Sequence, residues 1–89
     1  MYGEANNSPQ VHTVEGLLCE HKKQIRRFIG LRSGPAVLKR TTVDDLYQET
    51  ATEALAGAET FEYVGDASFI SWVSTIARRV ISHSLRGPQ

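Results

Sequence analysis

The residues of this chain with the clearest chemical use form a polar stripe near its carboxyl end. Spaced three or four apart, these residues share one side of a helix, with Arg78 beside them: Trp72, Thr75, Arg79, Ser82 and Arg86. Guanidinium groups bind phosphates, hydroxyls donate hydrogen bonds, and an aromatic ring stacks on an unpaired base. The stripe therefore indicates a surface for single-stranded or distorted nucleic acid. The alternative is a tryptophan at the core edge, with arginines that compensate the helix dipole.

A second group of polar residues carries the opposite charge. On one side of a helix, preceded by Asp44, lie Asp45, Gln48, Glu49 and Thr52. A glutamine between two carboxylates adds a directional donor and acceptor, which suits docking on a basic partner. From the pattern alone an ordinary solvated face is the better explanation, and a docking surface is the alternative.

Charge is segregated along the chain, although the 89 residues have a net charge of zero. Residues 1–40 carry seven Lys and Arg against three acids, residues 41–75 carry seven acids and no Lys or Arg, and residues 76–89 carry three arginines. Such segregation indicates two surfaces with different partners. Neutralisation of one segment by another within the fold explains it equally well.

Apolar periodicity predicts three principal helices and an all-α fold. The first helix runs from Val11 to near Arg32, where Ser33-Gly34-Pro35 ends it, and the connector over 33–41 has room for a short extra turn. Its apolar stripe contains Val14, Leu18, His21, Ile25, Phe28 and Ile29.

The second and third helices place the two polar groups on their outer sides. Thr42 caps the second helix, which fades near Gly57, and its inner residues are Val43, Leu46, Tyr47, Thr50 and Ala54. The third helix begins near Asp66 or Ser68 and ends at Gly87-Pro88. Its inner residues are Phe69, Val73, Ile76, Ala77, Val80 and Ser84.

Residue types argue against catalysis, metal binding and membrane insertion. Cys19 and His21 point in different directions on a helix, and the four residues that could bind a metal match no familiar ligand spacing: His12, Cys19, His21 and His83. There is no glycine-rich phosphate loop, no apolar run of about 18 residues and no secretory signal pattern. We therefore expect no enzyme, no cofactor, no metal and no membrane partner. The single cysteine fits a cytoplasmic protein.

Several short motifs, taken together, resemble region 2 of bacterial sigma factors, and most closely the extracytoplasmic-function group. The motifs, which span roughly residues 14–87, are Asp45-Leu46-x-Gln48-Glu49, Phe61 three residues before Val64-Gly65, Ser68-Phe69-x-x-Trp72, Ile76-Ala77-Arg78 and Leu85-Arg86. Order, spacing and residue type agree at about a dozen positions.

This resemblance implies two binding surfaces. The first docks on the clamp coiled coil of the largest subunit of core RNA polymerase and comprises Asp44, Asp45, Gln48, Glu49 and Thr52. The second binds the non-template strand of the −10 promoter element. There the loop residues Phe61, Tyr63, Gly65, Asp66 and Ser68 hold a flipped base, and the helix residues Trp72, Thr75, Arg78, Arg79, Ser82 and Arg86 read and help to melt the element. An anti-sigma factor is a further partner that the resemblance allows.

The chain departs from the family pattern at several positions. Arg79 stands where asparagine is usual, His83 where aspartate is usual, and Tyr47 where an aliphatic residue is usual. The connector from Arg32 to Arg40 is also long.

These observations predict three segments. They are a flexible arm (1–10), a region 2 helical domain (11–87) and the start of a linker (88–89) to a helix-turn-helix domain that this chain lacks. The leading hypothesis is a non-enzymatic transcription initiation module. The alternative is a helical protein interaction module without a role in nucleic acid binding.

Overall fold

Helices make up most of the chain. The computed structural model describes the backbone of residues 13–86 and the side chains of residues 13–84. Its elements are α1 (Val14–Glu20), α2 (Lys22–Arg32), α3 (Pro35–Leu38), α4 (Val43–Ala56), a 3-10 helix (Ala58–Thr60) and α5 (Asp66–Arg86). No strand occurs within residues 13–86, so the predicted all-α fold is confirmed. The predicted arm (1–10) and linker (88–89) lie outside the described residues.

The first predicted helix is two helices, which is a correction to the sequence analysis. α1 begins after Thr13, whose hydroxyl accepts a hydrogen bond from the Gly16 N–H, and it ends at His21 with φ −105° and ψ 17°. The physical reason for the break lies on another helix. The buried Tyr47 hydroxyl donates to the Leu18 carbonyl over 3.1 Å. A side chain that binds a carbonyl of the helical ladder is a common cause of a bend.

The predicted helix boundaries between Arg32 and Asp66 agree with the structure, whereas the predicted end of the last helix at Gly87-Pro88 lies outside the described residues. The Thr42 hydroxyl accepts a hydrogen bond from the Asp45 N–H over 3.0 Å, so Thr42 caps α4 as expected. The connector forms α3, a single turn that begins with Pro35, where the missing N–H costs nothing. Gly65, with φ 109°, turns the chain into α5 through the left-handed region that glycine favours.

The core lies where α5 packs against α4 and α2. The fully buried side chains include Leu17, Ile29, Leu46, Phe69, Val73 and Val80. The predicted inner residues of α4 and α5 are therefore buried, except Val43 and Ser84, which are half-buried. Leu17 on α1 and Ile81 on α5 are buried residues outside the predicted stripes. Thr50 is fully buried and donates to the Leu46 carbonyl of its own helix over 2.8 Å, which satisfies its hydroxyl.

No helix within the described residues is both long enough and apolar enough to cross a membrane.

Candidate nucleic-acid and protein interfaces

The outer side of α4 forms an acidic surface. Its residues, here called the α4 face, are all exposed and comprise Asp45, Gln48, Glu49 and Thr52. The Thr52 hydroxyl donates to the Gln48 carbonyl over 2.9 Å, so it is already engaged within the helix. The carboxylates of Asp45 and Glu49 form no ion pair with any described residue, which leaves both available to a basic partner.

Asp44, the fifth residue predicted for this surface, has a partner inside the domain. Its Oδ1 lies 2.8 Å from the Nη2 atom of Arg26 on α2. This distance is typical of a charge-assisted hydrogen bond. Asp44 therefore marks the edge of the α4 face, at the boundary with the basic α2 helix.

A shallow groove of about 290 Å³ runs beside the α4 face. It is lined by Lys22, Asp44, Tyr47, Gln48, Ala51, Thr52 and Leu55. The Lys22 ammonium lies 5.5 Å from the centre of the Tyr47 ring, within the range of a cation–π contact. Leu55 is 48% exposed, so the acidic surface adjoins an apolar one. Such a combination suits a protein partner with both basic and apolar side chains.

The segment between α4 and α5 is held by aromatic packing. The Phe61 ring lies 4.7 Å from the Trp72 ring, centre to centre, and 5.8 Å from the Phe69 ring in an edge-to-face arrangement. Phe69 is fully buried, whereas Phe61 and Trp72 are half-buried. Trp72 therefore lies at the edge of the core with part of its side chain exposed, so the two interpretations of the sequence each describe one part of its position.

Hydrogen bonds fix the end of this segment at the first turn of α5. The Tyr63 hydroxyl donates to Asp66 Oδ1 over 2.8 Å. The Ser68 hydroxyl accepts from the Val64 N–H over 3.0 Å and donates to the Gly65 carbonyl over 2.6 Å. The hydrogen bond to Asp66 is the main reason why the pKa of Tyr63 is raised. The five predicted loop residues are therefore each held by a local contact: Tyr63 with Asp66, Ser68 with Gly65, and Phe61 with Phe69 and Trp72.

The outer side of α5 is polar and mostly exposed. Thr75, Arg78, Arg79 and Ser82 are all exposed, as their spacing predicted. The Thr75 hydroxyl donates to the Ser71 carbonyl over 3.1 Å, and Arg78 forms no ion pair with any residue that the structure describes. The side chain of Arg86 lies outside the described part of the chain.

Sequence reasoning missed two residues that organise these surfaces. Glu53 on α4 accepts a hydrogen bond from Arg79 on α5 over 3.4 Å, and the two residues are 26 positions apart. Tyr47 was assigned only to the core, yet its hydroxyl holds the α1–α2 junction. Neither pairing follows helical spacing, so no local signal in the sequence reveals it.

A metal site would need several donor atoms close together. Within the described residues, the one group with suitable spacing lies at the α1–α2 junction and consists of Glu20, His21 and Asp66. Only Asp66 belongs to either surface predicted from the sequence.

Comparison with protein families identifies the class. The family model for sigma-70 region 2 matches residues 19–89. The chain therefore belongs to the sigma-70 region 2 family, a non-enzymatic module of transcription initiation factors. Comparisons with curated proteins and with solved structures give no significant match.

Proposed function

We propose that the α4 face docks this domain on the clamp coiled coil of core RNA polymerase. The family match supports a polymerase partner. The surface offers two carboxylates without an ion pair in the described residues, a glutamine and an adjoining groove with both polar and apolar lining residues. Basic side chains of a partner would meet Asp45 and Glu49, while Gln48 would set the register.

We propose further that the loop from Phe61 to Ser68 and the outer side of α5 bind the non-template strand of the −10 promoter element. The observation that carries this proposal is the continuity of the aromatic pair Phe61 and Trp72 with the exposed arginines of α5. Aromatic rings can receive a base that has left the stack, and guanidinium groups can hold the adjacent phosphates. Together they favour the melted form of the element.

The resemblance of the motifs to region 2 of extracytoplasmic-function sigma factors also supports proposals on the group, the location and a further partner of this chain. We propose that the factor belongs to the extracytoplasmic-function group, that it acts in the cytoplasm where the polymerase works, and that an anti-sigma factor can bind it. We also propose that residues 11–87 form the domain, after an arm and before a linker.

Binding of a fluorescent −10 non-template oligonucleotide, with and without core polymerase, tests the proposed function. We expect a stable ternary complex whose formation requires both the domain and the polymerase. If the domain captured polymerase but the complex gained no affinity for the oligonucleotide, the domain would be a protein interaction module instead.

A further inference from the structure

Three side chains with metal-binding atoms converge where α1 meets α2. Glu20 is the last residue of α1, His21 is the junction residue, and Asp66 is the first residue of α5. One donor atom from each lies within 4.8 Å of the other two. Glu20 and His21 are neighbours in the sequence, and at the bend between α1 and α2 both side chains lie near Asp66.

The His21 imidazole has a nitrogen without a hydrogen-bond partner. Its side chain is 13% exposed and its ring lies 5.7 Å from the Phe69 ring, centre to centre. Nε2 is buried and forms no hydrogen bond within the described residues, while Asp66 Oδ1 lies 3.8 Å away. Buried polar atoms normally have a hydrogen-bond partner. This nitrogen has none within the described residues and faces a carboxylate, an arrangement that suits a cation bound between the two groups.

The two carboxylates near this nitrogen also lack a cation. Neither Glu20 nor Asp66 pairs with a lysine or arginine among the described residues. Because one oxygen of each carboxylate lies within 4.8 Å of the other, a bound cation would relieve the repulsion between the two charges.

We propose that Glu20, His21 and Asp66 bind one divalent cation of the zinc type. Imidazole nitrogen selects borderline metals such as Zn²⁺, and two carboxylates complete a set of three protein ligands. Both carboxylate side chains belong to exposed residues, so each can turn toward a common ion, and water would occupy the remaining position. The ion would link the α1–α2 junction to the first turn of α5.

Isothermal titration of the full 89-residue chain with Zn²⁺, without an affinity tag, tests this proposal. The background variant carries His12→Ala, His83→Ala and Cys19→Ser, which leaves His21 as its single imidazole. We expect saturable binding of one ion per chain. Co²⁺ absorption should report the same site, and a saturating metal should raise the melting temperature.

Two substitutions locate the site. Glu20→Gln changes an exposed residue and should weaken Zn²⁺ binding by at least about tenfold, and His21→Ala should remove it. Glu15→Gln, an exposed acid in the first turn of α1, is the matched control and should bind as the background does. Circular dichroism of each variant verifies that the helices remain.

Three results would overturn the site. They are no heat of binding in the background chain, undiminished affinity in Glu20→Gln, and binding that survives His21→Ala. Binding that disappears on Cys19→Ser alone would point to the exposed thiol of Cys19 instead.

Discussion

The Nη2 atom of Arg79 lies 3.4 Å from the Oε1 atom of Glu53, so an ion pair joins the arginine side of α5 to the acidic helix α4. Both side chains are well exposed, at 63% and 41%, and such pairs contribute only about 0–1 kcal/mol to folding. The pair matters more for binding, because Arg79 cannot meet a phosphate fully while it holds Glu53.

Removal of the Glu53 charge should therefore strengthen DNA binding. For Glu53→Gln we expect a rise of up to about fivefold in the affinity of the polymerase-bound domain for the −10 oligonucleotide, with little change in melting temperature. The gain should disappear when Arg79→Ala is added. Glu15→Gln, an exposed acid without an ion pair in the described residues, is the control. An equal gain in that control would mean that Glu53 acts only through net charge.

Charge reversal on the α4 face should prevent docking. Asp45→Lys with Glu49→Lys turns attraction for a basic coiled coil into repulsion, and we expect capture of core polymerase to weaken by at least about a hundredfold. Because both residues are exposed, the helices should persist in circular dichroism. The matched control is Glu15→Lys with Glu59→Lys, two exposed acids outside the face. Capture at the original level by the first double variant would refute the docking surface.

Loss of the α5 arginines should weaken the promoter contact. Arg78→Ala with Arg79→Ala should lower the affinity for the −10 oligonucleotide by at least about tenfold, and each lost phosphate contact should reduce the salt slope by about 0.7. The control replaces Lys23 and Arg27, exposed cations of α2, with alanine. Titrations over a series of salt concentrations give both quantities. An unchanged slope would show that these arginines do not meet phosphates.

The Tyr47 hydroxyl should contribute to stability and to its dependence on pH. Tyr47→Phe removes the buried hydrogen bond to the Leu18 carbonyl and should cost about 1 kcal/mol in the free energy of unfolding. Burial raises the pKa of Tyr47 above its ordinary value of 10.0. The unfolded chain therefore releases this proton first, so stability is retained below pH 10.0 and declines as the pH rises above it.

Urea unfolding at about pH 8 and about pH 11 measures both effects. The wild type should lose more stability between the two pH values than Tyr47→Phe, since the variant lacks one of the groups whose pKa is raised. Equal losses would place the alkaline sensitivity elsewhere, for example at Tyr63.

Local patterns in the sequence were sufficient to predict the helices α4 and α5 and the sides that face the core. Helical periodicity assigned the buried sides correctly because each residue that faces the core recurs after three or four positions. The Thr42 cap could also be predicted, since the hydroxyl and the N–H that it accepts from are three residues apart. Exposure of Arg78 and Thr75 followed from the same periodicity.

Contacts between residues far apart in the sequence could not be predicted from helical periodicity. The break at His21 involves the hydroxyl of Tyr47, which lies 29 residues after Leu18 in the sequence. The residues around His21 give no local signal of a bend. The Glu53–Arg79 pair and the convergence of Glu20 on Asp66 likewise depend on how helices pack. The position of Trp72 between core and solvent depends on Phe61, which belongs to a loop whose path has no periodicity.

Site-specific photocrosslinking in the promoter complex tests whether α4 and α5 of this domain contact different partners. A photoreactive amino acid at Glu49 and, in a second variant, at Thr75 would probe the two exposed surfaces of one domain. We expect the probe at Glu49 to label the largest polymerase subunit and the probe at Thr75 to label the non-template strand of the −10 element. Labelling of polymerase from both positions, with none of the DNA, would contradict the assignment of separate docking and promoter surfaces.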